Sequence, residues 1–331
     1  MSVQLREKEL IPISFQAIES IKAIPAANGQ KILAASRDKA AYIVDLSSDL
    51  SNTSSKIVKS FDSIHTKRVT DAVYSTEGDK VITVSDDNKV VIWDRETKKT
   101  LQFSGHSRTI TSVAINAKNN KIVTASQDGS FILWNTRGEE IAKFDKSIEH
   151  GHKSWINACG FVPNSNDIFI TAGEDGTVKM WDLESLKLIK TFFNGTLVDY
   201  EKAKETKVTV KDFDYDLAVK TIAFSKDGSL LAYGGRNSKV YLLNLIDAEF
   251  LQTIEVNDKV IALAYGETQP FIAISVPNKV LLWNIIENKM AGEYIFATKG
   301  ENYCRSLTFI GDELVAAFDT GKISRIELTR N

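Results

Sequence analysis

The sequence predicts an all-β fold: a seven-bladed β-propeller whose last blade is completed by the N-terminal strand. Three observations carry this expectation. First, a turn residue precedes a short apolar run at Asp38, Asp87, Asp128, Asp175, Asn237, Asn278 and Asp319, in steps of 49, 41, 47, 62, 41 and 41 residues. A period of about forty residues is that of a repeated four-stranded blade. Second, the runs on either side of each turn are short and rich in β-branched residues, and few segments keep a helical period. Third, the last run, KISRIEL at 322–328, is followed by only three residues, whereas ELIPISF at 9–15 stands ahead of the first repeat. Pairing these two runs would close the ring and leave neither edge open.

In chain order, blades are expected at 16–60, 61–103, 104–145, 146–193, 213–254, 255–290 and 300–328, the last joined by strand 9–15, within one domain spanning 1–331. The first strands read SIKAIP, VTDAVYS, ITSVAIN, INACGFV, VKTIAFS, VIALAYG and CRSLTFI. The second strands, just before each turn, read KILAAS, KVITVS, KIVTAS, IFITAG, LLAYGG, FIAIS and LVAAF. The third strands, just after it, read AAYIVDL, VVIWD, FILWN, VKMWD, VYLLNL, VLLWN and ISRIEL. Two segments break the period. TLVDYEKAKETKVTVKD at 196–212 lengthens the link from blade four to blade five and reads as a solvated hairpin or loop, or as a partner-binding insertion. IENKMAGEYIFATKGENY at 286–303 lengthens the link from blade six to blade seven.

Composition narrows the function classes. A hydrophobic fraction of 43% in 331 residues is ample for the core of one large β-protein. A net charge of −2 argues against a general polycationic nucleic-acid binder, while leaving room for one local basic patch. Two cysteines, Cys159 and Cys304, make no disulfide framework, which fits a reducing compartment. Both lie in apolar strands and are expected to be buried and inert. Arg6, Glu7, Lys8 and Glu9 stand where a secretory leader needs an apolar run. No stretch reaches the roughly 18 apolar residues of a membrane helix. A cytosolic or nuclear protein is expected.

The strand endings Trp93-Asp94 and Trp181-Asp182, with the variants Trp134-Asn135 and Trp283-Asn284, resemble those of the WD-repeat family. Gly105-His106 and Gly151-His152 match its Gly-His pair. The chemistry fits. In blade three His106, Ser126, Asp128 and Trp134 can form one bonded set, as can His152, Asp175 and Trp181 in blade four. A buried Asp and His are tolerated only when bonded to each other and to neighbours. The Trp adds bulk and one N–H donor.

Within that family, four stretches resemble the receptors for activated C kinase: LAASRDKAAYIVDL (33–46), IVTASQDGSFILWNTRGE (122–139), HKSWINACGFVPNSNDIFITAGEDGTVKMWDL (152–183) and FSKDGSLLAYGGRNSKVYLLNL (224–245). The resemblance implies a non-catalytic scaffold on the small ribosomal subunit, cytoplasmic, with no cofactor and no small-molecule substrate. Its implied partners are ribosomal RNA, neighbouring ribosomal proteins, protein kinase C-like kinases, other signalling proteins and translation regulators. Three departures stand out: SIHTKRV in blade two lacks the Gly-His pair, a charged insertion precedes blade five, and the loop between blades six and seven is altered.

One turn is chemically unlike the rest. Blades three and four read Asp-Gly at the turn, as a tight turn prefers. Blade one reads Arg37-Asp38-Lys39. Arg offers a fork for phosphate oxygens and Lys a mobile point charge. Such contacts position a protein on structured RNA without reading its sequence. The alternative is that Arg37 pairs with Asp38 or a nearby carboxylate and Lys39 is merely solvated. The family resemblance favours the first reading, with Arg37 and Lys39 on ribosomal RNA. Lys67 and Arg68, ahead of blade two, and Lys89, after its turn, are second-rank candidates.

Other chemistry is poorly represented. His65, His106, His150, His152 and the two cysteines lack metal-ligand spacing. There is no Gly-rich phosphate loop and no Ser elbow, so an enzyme is the weakest reading. A WD-repeat adaptor in a signalling or ubiquitin-ligase complex is the main alternative. A G-protein β subunit would need a long N-terminal helix, and here the first strand is expected by about residue 9. Trp155 is expected to pack within its blade, although the family resemblance also permits a surface contact.

Overall fold

The computed structural model describes residues 3–24, 30–47, 56–198, 215–296 and 303–330. These residues form strands and turns, with one short 3-10 turn at Tyr215–Leu217. The strands make seven antiparallel sheets, a seven-bladed β-propeller. Blade one is Ile18–Ala23, Lys31–Ser36, Ala41–Asp45 and Ile57–Phe61; blade two is Val69–Tyr74, Lys80–Ser85, Lys89–Asp94 and Thr100–Ser104. Blade three is Ile110–Ile115, Lys121–Ser126, Phe131–Asn135 and Glu140–Phe144. Blade four is Ile156–Phe161, Ile168–Gly173, Thr177–Asp182 and Lys187–Phe193, extended by Thr196–Leu197. Blade five is Val219–Phe224, Leu230–Gly235, Lys239–Asn244 and Glu249–Glu255; blade six is Ala262–Tyr265, Phe271–Val276, Lys279–Asn284 and Lys289–Ile295. Blade seven is Cys304–Ile310, Glu313–Phe318 and Lys322–Arg330, with Val3–Pro12 as its fourth strand.

The N-terminal strand begins at Val3, earlier than expected, because Val3 and Leu5 are buried while Gln4 and Arg6 face solvent. It pairs with the final strand from Val3↔Arg330 to Pro12↔Lys322, with one register shift between Glu7 and Glu9. The segment at 286–303 is also more regular than expected. Lys289–Ile295 is the fourth strand of blade six, and residues 297–302 lie outside the described ones. Of the segment at 196–212, Thr196–Leu197 adds a fifth strand to blade four, and residues 199–214 lie outside the described ones.

The second strands show why the repeat reads so clearly. In blades one to five and in blade seven they run half-buried once and then buried five times; in blade six all six residues are buried. A strand covered on both faces reads as a continuous apolar run rather than an alternation. Fourth strands carry the exposed residues, as in Thr100–Ser104.

By internal contacts the chain forms two compact units, residues 1–113 with 261–331, and residues 114–260. In the first unit, Ile11, Ile18, Ile32 and Ile323 are fully buried in one cluster, and Val3, Leu5, Leu282 and Leu314 share another. In the second unit, Phe131 stacks on Phe144 (4.4 Å between centroids) and tilts against Trp181 at 5.0 Å. Aromatic pairs at such offsets add about 0.5–1.5 kcal/mol beyond their area.

Candidate nucleic-acid interface

The basic turn of blade one is built around Asp38. Its carboxylate accepts from Ser14 Oγ (2.5 Å), Tyr42 Oη (2.7 Å) and the Ala40 N–H (3.1 Å). Burial, then the Asp38 carboxylate, push the Tyr42 hydroxyl above its usual range. Asp38 is therefore occupied, and it does not hold Arg37. Lys39 takes φ +76°, the left-handed conformation that Gly129 (+81°) and Gly176 (+74°) take in blades three and four. A non-glycine residue pays about 1–3 kcal/mol there, and such strain collects at functional positions. Lys39 is exposed.

Arg37 donates from Nε to Glu19 Oε1. Arg68 reaches the same oxygen from Nη1 at 3.3 Å and also donates to Asp86. Burial disfavours the Arg68 charge, yet the bond to Asp86 and the Glu19 carboxylate hold its pKa above the usual value. Arg305, on the first strand of blade seven, takes the other Glu19 oxygen at 3.3 Å. One carboxylate thus gathers three guanidiniums from blades one, two and seven. Lys67 is exposed and Lys89 half-buried. Among the described residues the ammonium groups of Lys39, Lys67 and Lys89 make no ion pair.

The placement of Glu19 and Arg305 follows from backbone irregularity. The blade-one register runs Ile18↔Ser36 and then Ser20↔Ala35, leaving Glu19 without an opposite residue. In blade seven, Cys304↔Phe318 is followed by Ser306↔Ala317, leaving Arg305. A bulge re-aims the side chain it leaves unpaired.

The buried polar sets lie at other turns. In blade four His152 Nδ1 meets Asp175 Oδ2 at 3.0 Å, His152 Nε2 meets Thr171 Oγ1 at 2.7 Å, and Trp181 Nε1 donates to that Thr at 2.8 Å. Nδ1 faces the carboxylate and therefore carries a proton, which it donates to Asp175. Blade two repeats this: His65 Nδ1 to Asp87 Oδ2 at 3.1 Å, Nε2 to Thr83 at 2.8 Å, and Trp93 to Thr83 at 3.1 Å. Burial alone would raise the Asp87 pKa; the bonds from His65 and from the Thr66 N–H more than reverse this and bring it to about 2. Asp175 is held lower still, its burial outweighed by His152 and Thr177.

In blade three, Trp134 Nε1 donates to Thr124 (2.9 Å), while Ser126 Oγ accepts the Asp128 N–H (3.1 Å). The hydroxyl beside the Trp is therefore the threonine, and Ser126 supports the turn. Asp128 accepts the Ser130 N–H at 2.9 Å and its hydroxyl at 2.6 Å. His106 is buried.

A family model described as "WD domain, G-beta repeat" matches residues 55–94, 97–135 and 143–182. The "Guanine nucleotide-binding protein subunit beta-like protein" of Encephalitozoon cuniculi is 35% identical over 331 residues, covering all of this chain and 99% of that one. The "Small ribosomal subunit protein RACK1" of Drosophila melanogaster is 37% identical over 263 residues, 79% of this chain and 76% of its own. Its namesake in Neurospora crassa is 34% identical over 268 residues, 80% and 77% of the two chains. The chain belongs to the RACK1 family of WD-repeat proteins.

For a RACK1-family chain, three features escaped sequence reasoning. His65 fills the His position of blade two without a preceding Gly, and its 22-residue spacing to Asp87, matching His106 to Asp128, was the available signal. Glu19 and Arg305 share one repeat position, the residue left unpaired by a first-strand bulge that recurs in blades two, four and five, and apolar periodicity alone does not register it. Trp155 is 42% exposed rather than packed away. Both cysteines are buried, and burial pushes the Cys304 thiol up to about 12. Among the described residues, no group of three or more His, Cys, Asp or Glu is placed to hold a metal ion, and no helix is long and apolar enough to cross a membrane.

Proposed function

We propose that this RACK1-family chain is a non-catalytic scaffold of the small ribosomal subunit, docking on ribosomal RNA through a basic face on blades one and two. Arg37, Lys39, Lys67, Arg68 and Lys89 form that face. The observation that carries the reading is the ammonium set of Lys39, Lys67 and Lys89, without an ion pair among the described residues, on a protein of net charge −2. Lys39 holds the left-handed turn position that glycine takes in blades three and four, Asn88 in blade two and Ser238 in blade five, and it is the one of these that brings a positive charge. The relatives named as small ribosomal subunit proteins support the docking partner. The remaining surface would present kinases and translation regulators to the subunit, raising their effective concentration near their targets. A cytoplasmic, ribosome-bound location follows from this reading.

A second reading, a signalling adaptor away from the ribosome, is favoured by the relative from Pyricularia oryzae named "MST50-interacting protein 11", 34% identical over 293 residues. Sedimentation with purified small subunits separates the two. Wild type is expected to co-sediment, and a folded Arg37→Asp/Lys39→Glu variant to stay at the top of the gradient. Wild type remaining at the top would transfer support to the adaptor.

A further inference from the structure

We propose that Arg305 is a third arginine of the RNA-facing rim, and that Glu19 is the internal counter-ion that positions Arg37, Arg68 and Arg305 and withholds part of their charge. The inference rests on the docking function proposed above and deepens it. It adds a contact residue from blade seven and a regulator of charge from blade one.

The charge balance of the cluster motivates it. Three guanidiniums converge on Glu19, and Asp86 is the second carboxylate that contacts one of them. Three cations against two carboxylates leave an excess of positive charge in a confined space. Each guanidinium carries five N–H donors, and one carboxylate cannot satisfy three of them. Arg305 Nε is buried and has no hydrogen-bond partner among the described residues. The outer edges stay accessible, with side-chain exposures of 36% for Arg37, 34% for Arg68 and 28% for Arg305. Glu19 itself is only 12% exposed and lies beneath them. A phosphate group at those edges would meet preorganised donors and relieve the repulsion among them. The two bulges fix Glu19 and Arg305, so the geometry is set by backbone and not by flexible side chains alone.

The two residues carry opposite predicted signs, which a merely structural role would not produce. Full-length wild type, Glu19→Gln, Arg305→Gln and an exposed control, Arg137→Gln, would be titrated with a short oligouridylate at several salt concentrations. Folding would be checked first by circular dichroism. Each contact to single-stranded RNA contributes about 0.7 to the log–log salt slope. Glu19→Gln is expected to tighten binding and steepen the slope by at least that amount. Arg305→Gln is expected to weaken binding several-fold and flatten the slope by about the same. Arg137→Gln is expected to leave both unchanged.

Should Glu19→Gln weaken binding as Arg305→Gln does, or should neither move the slope, the proposal is wrong. If Glu19→Gln does not fold, Arg305→Gln alone decides: an unchanged slope overturns the contact. Wild type that fails to bind at about 50 mM salt also overturns it. Sedimentation with small subunits, run in parallel, separates the two levels. Slopes that move as stated without co-sedimentation would sink the docking function and keep the rim. Co-sedimentation with unmoved slopes would do the reverse.

Discussion

Arg325 donates from both Nε (2.9 Å) and Nη2 (2.5 Å) to one oxygen of Glu313 on the adjacent strand of blade seven, with its side chain only 3% exposed. The other Glu313 oxygen takes Lys8 from the N-terminal strand. Arg325 also faces Glu9 at 3.5 Å and bonds Gln30 at 3.1 Å. Removing one partner of a buried pair costs about 3–5 kcal/mol when the other is left bare, and without Arg325 the Glu313 carboxylate keeps only Lys8, whose side chain is 42% exposed. Arg325→Met is therefore expected to lower the urea midpoint sharply. A loss below about 1 kcal/mol would mean that the pair contributes only as much as exposed ones do.

The N-terminal strand belongs to blade seven by backbone pairing along its length. Deleting residues 1–15 exposes the edge of Lys322–Arg330 and removes Val3, Leu5, Ile11 and Ile13 from two clusters. Size exclusion is expected to show aggregation and loss of the cooperative melt. A monomer that melts normally would show the other blades to be independent of this strand.

Thr171 joins His152 to Trp181, and Ser126 supports a turn instead. Thr171→Val strands two buried partners, each worth about 1–3 kcal/mol. Ser126→Ala removes the hydroxyl that accepts the Asp128 N–H and is expected to be less harmful. Equal losses in thermal melts would contradict this division of work.

The His65–Asp87 bond predicts an acid sensitivity with a definite sign. Asp87 is depressed to about 2 in the folded chain, against an ordinary carboxylate near 3.9 when unfolded. Its stabilisation is complete above about pH 4 and fades as pH falls toward 2. His65→Gln weakens the bond that depresses Asp87, so part of that stability should already be missing at pH 6. Ellipticity followed from pH 6 to pH 2 should show the variant unfolding at higher pH than wild type. Coincident curves would mean that the Thr66 and Lys89 N–H bonds alone hold Asp87.

Much of the fold was legible because blade geometry is local. The buried second strands appear as apolar runs, and the turn residues mark the period. Lys289–Ile295 was harder: Lys289, Met290 and Glu293 do not look like a strand, since the fourth position faces solvent and needs little apolar character. The basic turn was legible by its contrast with Asp-Gly. Its electrostatic partner was legible only as Asp38 or some nearby carboxylate, and Asp38, one residue away, is the obvious partner in sequence. Ser14 and Tyr42 occupy Asp38, and Glu19 is presented by a bulge that apolar periodicity does not register.

The pairing of the first strand with the last also sets a timetable. Thr329 donates to the Gln4 carbonyl across 325 residues. At about 5–20 residues per second, a nascent chain waits some tens of seconds between making one strand and making its partner. Through that interval Val3–Pro12 is an unpaired strand with an apolar face, ready to join another nascent chain. Arg6, Glu7, Lys8 and Glu9 sit in its middle, three of them exposed. Charges at that place discourage wrong pairing, so the residues that later clasp Glu313 and Lys56 first serve as a chaperone written into the strand itself.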